Sequence, residues 1–152
     1  MTIQVKSPIA VVSVFLWIGF VCAISFMEAW LKFQAPGITL PLGLGIGRLV
    51  FSMLNKIEWV FALAIAIQLV IHKTPLLSAK TIAFLVPLAL LFIQTLWLLP
   101  ALDARAEMYI QDTTPPASNL HFYYAGAEVI KVICLLIYGI TLFKKTDYGK
   151  SN

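Results

Sequence analysis

The sequence predicts an all-α integral membrane protein, a four-helix bundle that crosses the bilayer four times as one domain. Three observations predict it: 61% of the 152 residues are hydrophobic, only 12% are charged, and the mean hydropathy is +0.91. A soluble domain of this length has too little interior to hide so much apolar surface, whereas a bilayer accepts it. Four helices of about 20 residues with short loops use nearly the whole chain. The spans fall near 8–33, 48–71, 80–106 and 119–143.

Spans one and three are read directly. Pro8 to Met27 and Thr81 to Leu102 are uncharged stretches long enough to cross. Only Lys6 precedes the first run and no small-residue cleavage site interrupts it, so it reads as a retained helix rather than a signal peptide. Pro87 is expected to kink span three, which helices in a bundle tolerate.

Spans two and four require charged residues inside the membrane. Counting back from Ile71, only Trp59 to Ile71 lacks charge, so a full span takes in Lys56 and Glu58. The same count from Phe143 takes in Glu128 and Lys131. Lys56 lies about 100° around the helix from Asn55 and is read as snorkelling outward.

The loops set the orientation. Lys6, Lys73, Lys80, Lys144, Lys145 and Lys150 lie on one side of a four-span chain, while Asp103, Arg105, Glu107 and Asp112 lie on the other, with Lys32 and Arg48 near helix ends there. Uncompensated positive charge marks the first side as cytoplasmic, with both termini there. Pro36-Gly37 and Pro41, with Gly43, Gly45 and Gly47, read as a turn-rich connection whose glycines allow close packing. Asp112 to Asn119, with Pro115-Pro116, separates spans three and four, and Ser118 or Asn119 is the candidate cap of the last helix.

The net charge of +4 does not point to nucleic acid, because no Lys/Arg stripe with interleaved aromatics occurs. Cys22 and Cys134 lie within apolar runs and read as free core thiols, not a disulfide framework. Trp17, Trp30, Trp59 and Trp97, with Tyr109, Tyr123, Tyr138 and Tyr148, are read mainly as interfacial aromatics.

This topology gathers the polar residues at the outer ends of the helices. Glu28 and Lys32 are spaced i,i+4 on span one. Arg48, Ser52, Asn55 and Glu58 form one stripe on span two, and His121, Tyr124, Glu128 and Lys131 another on span four. Asp103, Arg105 and Glu107 stand where span three emerges. Glu58 and Lys131 each lie roughly 18–20 Å from the cytoplasmic end of their helices and are expected to pair. A charge near the middle of a span costs about 2.5–3.5 kcal/mol on insertion scales, so these groups need partners, water or a ligand.

Two readings follow. In one, the cluster is an outward-facing cavity that binds or transports a small polar solute or a metal ion. Its residues are then Glu28, Arg48, Asn55, Glu58, Asp103, Arg105, His121, Tyr124, Glu128 and Lys131. In the other, the same residues are a structural network of a non-catalytic interaction protein. His121, Glu58 and Glu128 are the metal candidates, a mixed nitrogen and oxygen set suited to a borderline or hard divalent ion. His72 and His121 fall on opposite faces, which argues against bis-histidine haem within one subunit. No Cys-x-x-Cys, His-x-x-x-His or Ser/His/Asp set stands at workable positions, so neither catalytic residues nor a cofactor are identified, and an enzyme is not the expectation. The lipid bilayer is the expected partner, with a homo-oligomer plausible because four spans alone rarely enclose a transport path.

Several segments resemble a known family. FLWIGFVCAISFMEAWLKFQAP is similar to the first span of small bacterial four-span proteins of unknown function, whose relatives include eukaryotic transmembrane proteins linked to copper and cisplatin resistance. GRLVFSMLNKIEW resembles their second helix start, at Phe51, Leu54 and Asn55. LPALDARAE and NLHFYYAGAE resemble their third-span exit and fourth-span entry, at Asp103, Arg105 and His121. The resemblance implies the four-span fold, a bacterial cytoplasmic membrane and a link to metal handling. A second resemblance is to the membrane-associated eicosanoid and glutathione enzymes, whose Arg...Asn-x-x-Glu pattern is matched in its second half by Asn55-Lys56-Ile57-Glu58. It implies glutathione chemistry, but Arg48 stands too far upstream and the polar end faces away from the cytoplasm.

Overall fold

The computed structural model describes residues 2–5, 7–75 and 78–146. Lys6, Tyr148 and Lys150 lie outside the described residues, as do the side chains of Lys80, Lys144 and Lys145. Four long apolar helices make a multi-pass membrane bundle: α1 (Pro8–Gln34), α2 (Leu40–Ile71), α3 (Thr81–Ile110) and α4 (Leu120–Thr141). The shortest has 22 residues, about 33 Å at the helical rise and enough to cross a hydrocarbon core of about 30 Å. Successive helices are neighbours, and α4 closes the ring on α1.

Two short strands, β1 (Thr2–Val5) and β2 (Phe143–Thr146), pair antiparallel, with Val5 opposite Phe143. This ladder was not anticipated from the sequence. It brings Thr2–Val5 and Phe143–Thr146 together at one end of the bundle, called here the terminal end. The α1–α2 and α3–α4 connections lie at the opposite, distal end.

Local chemistry sets the helix limits. Thr39 caps α2 by accepting the Leu42 N–H at 3.4 Å, and Pro41 sits in the first turn. The segment holding Gly43, Gly45 and Gly47 is therefore the start of α2, eight residues ahead of the expected boundary at 48, rather than a loop. Proline is no obstacle in a first turn, which has no intrahelical partner for its N–H. Helix is also the form that satisfies backbone groups where the bilayer supplies no water. Close packing does account for Gly43, since a Cβ there would enter the Phe33 ring of α1. Helices α2 and α3 end alike. Lys73 and Asp112 take left-handed backbone with φ of 46° and 56°. Thr74 N–H then reaches Leu69 O at 3.1 Å, and Thr113 N–H reaches Met108 O at 2.8 Å, closing Schellman caps. On α4, Ser118 Oγ accepts the Leu120 N–H at 3.2 Å, while Asn119 makes no side-chain cap.

Two helices carry a widened π segment, Cys22–Glu28 in α1 and Gln94–Leu98 in α3. The second has a visible cause. Pro100 lacks the N–H that Leu96 O would accept, and its ring crowds that turn, so the helix widens just before it. Ahead of this segment α3 packs along α4; beyond it α3 packs along α2. The distal half of α3 thus leaves α4.

The apolar core lies toward the terminal end, around Val14, Val21, Ile65, Phe84, Leu91 and Leu135. Leu49, Val60, Leu96, Phe122 and Ile140 point outward, as lipid-facing positions do. Lipid is as apolar as these side chains, so the helices are held by close packing and polar bonds rather than by the hydrophobic effect. Cys22 is exposed on this outer surface rather than in the core, and Cys134 is half-buried.

Candidate functional site

All four helices meet in a polar layer at mid-height. Trp17, Glu58, Gln94, Glu128 and Lys131 are each 0% exposed. Lys131, near the middle of α4, donates to Glu58 Oε1 on α2 and to Glu128 Oε1 on its own helix, the latter at 3.2 Å. Trp17 Nε1 of α1 donates to the same Glu58 oxygen at 2.7 Å. Gln94 Nε2 of α3 donates to Glu128 Oε1 at 2.9 Å. Every member of this layer is a side chain that an apolar membrane interior would reject alone. The predicted Glu58–Lys131 pair is therefore present, with three further groups around it. Trp17 is a buried donor here, not an interfacial aromatic.

A second set of bonds joins α2 and α3. Thr95 Oγ1 accepts Asn55 Nδ2 and Trp59 Nε1, each at 3.0 Å, and donates to Leu91 O at 2.7 Å. Trp59 also serves this network rather than an interfacial belt. Thr95 belongs to the π segment.

A cavity of about 560 Å³ lies on the distal side, where α3 diverges from α4. Asn55, Thr95 and Tyr124 line it, with Phe33, Phe51, Leu102 and Ala106 supplying apolar wall. Tyr124 stands edge-on to Phe51, with ring centroids 5.4 Å apart. Lys32, Arg48, Lys56, Asp103 and His121 are its charged and imidazole lining residues. Its cations outnumber its single carboxylate, Asp103. Arg48 forks onto Asp103, with Nε 2.5 Å from Oδ1 and Nη2 3.0 Å from Oδ2, and its Nη1 also bonds Glu107. Lys32 pairs with Glu28 at 3.3 Å, and its ammonium lies 5.6 Å from the Phe51 ring centroid.

Of the residues expected in one cavity, Arg48, Asn55, Asp103, His121 and Tyr124 share it. Glu58, Glu128 and Lys131 do not; they belong to the sealed layer. Glu28 stands outside the lining, bound to Lys32. Arg105 is half-buried and makes no ion pair among the described residues. The metal set is not assembled. His121 precedes Glu128 by seven residues, about 10 Å along the helix, and no group of three His, Cys, Asp or Glu side chains suited to a metal occurs among the described residues.

Sequence reasoning missed Trp17, Gln94 and Thr95. Gln94 had a usable signal, as a lone amide within the otherwise apolar run of span three. Comparison with known proteins returns no family model, curated protein or solved structure that matches this chain.

Proposed function

We propose that this membrane protein binds a small solute in its distal cavity, with both termini in the cytoplasm and the cavity toward the outer face. The observation that carries the reading is the cavity itself. A volume of about 560 Å³ is within the range of about 300–1,000 Å³ for small-molecule sites. Its walls are largely apolar, with Asn55, Thr95 and Tyr124 grouped as hydrogen-bonding side chains. Lys32 is held by Glu28 and Arg48 by Asp103 and Glu107, so the charges at the cavity are largely matched, and its hydrogen-bonding side chains support a neutral polar head on an apolar body. The lysine-rich loops support the orientation.

Native mass spectrometry from mild detergent, with Ala106→Phe alongside wild type, tests the reading. Ala106→Phe adds a ring to the cavity wall. A co-purifying small molecule, lost in Ala106→Phe and kept in Gly126→Ala, which lies outside the lining, is the expected result. Bare protein in every sample, with lipid extracts supplied, would overturn it.

We also propose kinship with the small bacterial four-span proteins. Of the residues that carry that resemblance, Phe51, Asn55, Asp103 and His121 line the cavity, while Leu54 and Arg105 do not. A second reading, a non-catalytic protein whose polar residues fix helix register, draws support from the mutual pairing in the buried layer. It predicts that cavity substitutions change neither ligand content nor stability, while substitutions in the layer lower stability.

A further inference from the structure

The buried layer has an unbalanced charge. Two carboxyl groups, Glu58 and Glu128, share one ammonium group, Lys131, and all three side chains are fully buried. The other groups that complete the layer are neutral: Trp17 from α1 and Gln94 from α3. With both carboxyls ionised, a net negative charge would sit at the middle of the membrane. Buried groups in that position neutralise by taking up a proton or hold a counter-ion.

The hydrogen bonds distinguish the two carboxyls. Each Oε1 accepts two donors, but Lys131 makes its closer contact with Glu58, which also accepts the Trp17 indole, an arrangement suited to an anion. Glu128 is the weaker partner of Lys131, at 3.2 Å, and is docked instead on the Gln94 amide. That docking uses one atom of each group, Gln94 Nε2 and Glu128 Oε1. The second atoms, Gln94 Oε1 and Glu128 Oε2, are both buried acceptors with no partner, as is Glu58 Oε2. Two acceptors repel, and each left unmade costs about 1–3 kcal/mol. A single proton on Glu128 Oε2 turns one of these bare acceptors into a donor, and Gln94, whose Nε2 already holds Glu128 Oε1, carries a bare Oε1 able to accept it. The Tyr124 hydroxyl, also buried and unpartnered, stands one turn from Glu128 on α4, and Tyr124 lines the cavity.

We infer that this layer is a proton-binding site, in which Glu128 carries one proton, donates it to Gln94 and exchanges it with the cavity through the Tyr124 hydroxyl. Release passes the Glu128 proton to the Tyr124 oxygen while Tyr124 gives its own proton to a cavity water. Glu128 is left as a carboxylate and the water as hydronium. The proton is independent of any solute; only the exchange route rests on the cavity described above.

Infrared difference spectroscopy of the purified protein at neutral pH tests this. Wild type should show the carbonyl stretch of a protonated carboxylic acid, shifting in D2O and lost in Glu128→Gln. Gln94→Leu should move that band to higher frequency, because the acid loses its hydrogen-bond partner. Lys131→Met, which removes the only cation of the layer, should add a second protonated carboxyl. Tyr124→Phe should keep the band and slow its D2O shift at least tenfold. Absence of the band in wild type, with both carboxylates ionised or neutralised by sodium or potassium, would overturn the site. An unchanged exchange rate in Tyr124→Phe would overturn the route while leaving the proton in place.

Discussion

The indole N–H of Trp17 on α1 donates to Glu58 on α2 at 2.7 Å, with both side chains fully buried at mid-height of the bundle. Phe at this position removes the donor together with the pyrrole part of the ring, so a packing loss adds to that of the hydrogen bond. A hydrogen bond to a charged group contributes about 1.5–3 kcal/mol. Trp17→Phe should therefore lower thermal stability in detergent by at least an amount in that range. Trp97→Phe, on the exposed outer surface, should leave the unfolding temperature within error. Equal behaviour of the two variants would rule out the assigned role of the indole.

The stripes on α2 and α4 were visible in the sequence because helical spacing alone sets which face Asn55, Glu58, Tyr124 and Glu128 share. Their division into a cavity and a sealed layer was not visible. It depends on α3 passing from α4 to α2 at the π segment, a change in path that residue spacing does not encode. Gln94 was available but unread, since an amide in an apolar run announces a buried partner without naming it. The early start of α2 was hidden by Pro41 and its glycines, whose turn-forming tendencies yield to a helical first turn in a bilayer.

Lys131 holds the layer together, so removing it alone is more damaging than removing it with its partner. Breaking a buried ion pair from one side costs on the order of 3 kcal/mol. Lys131→Met should show a loss of that size by thermal unfolding, and Glu58→Gln/Lys131→Met should recover most of it. If the double variant is as unstable as the sum of its singles, Lys131 and Glu58 are not coupled as the geometry indicates.

Arg48 answers to salt, where the buried pair does not. Its fork onto Asp103 and bond to Glu107 lie at the partly exposed distal end. Exposed pairs are weak and screened by ions. Arg48→Ala should therefore shift the unfolding temperature less than Trp17→Phe does, and raising salt should shrink that small difference further. A large, salt-insensitive loss would mean that Arg48 is shielded from water by something further, such as a bound solute.

Two glycines on different helices separate close packing from mere helix weakness. At Gly43 an added methyl group would enter the Phe33 ring, across the α1–α2 contact. At Gly126, within α4, the same methyl meets nothing within 4 Å. Glycine lowers helix stability by roughly 0.5–1 kcal/mol relative to alanine, while overpacking costs typically about 1–3 kcal/mol. Gly126→Ala should be neutral or stabilising, and Gly43→Ala destabilising, in parallel melts. Shortening the obstructing side chain should reverse the second effect, so Phe33→Leu/Gly43→Ala should be more stable than Gly43→Ala alone. Failure of that rescue would mean that Gly43 is not needed for the approach of α1 to α2.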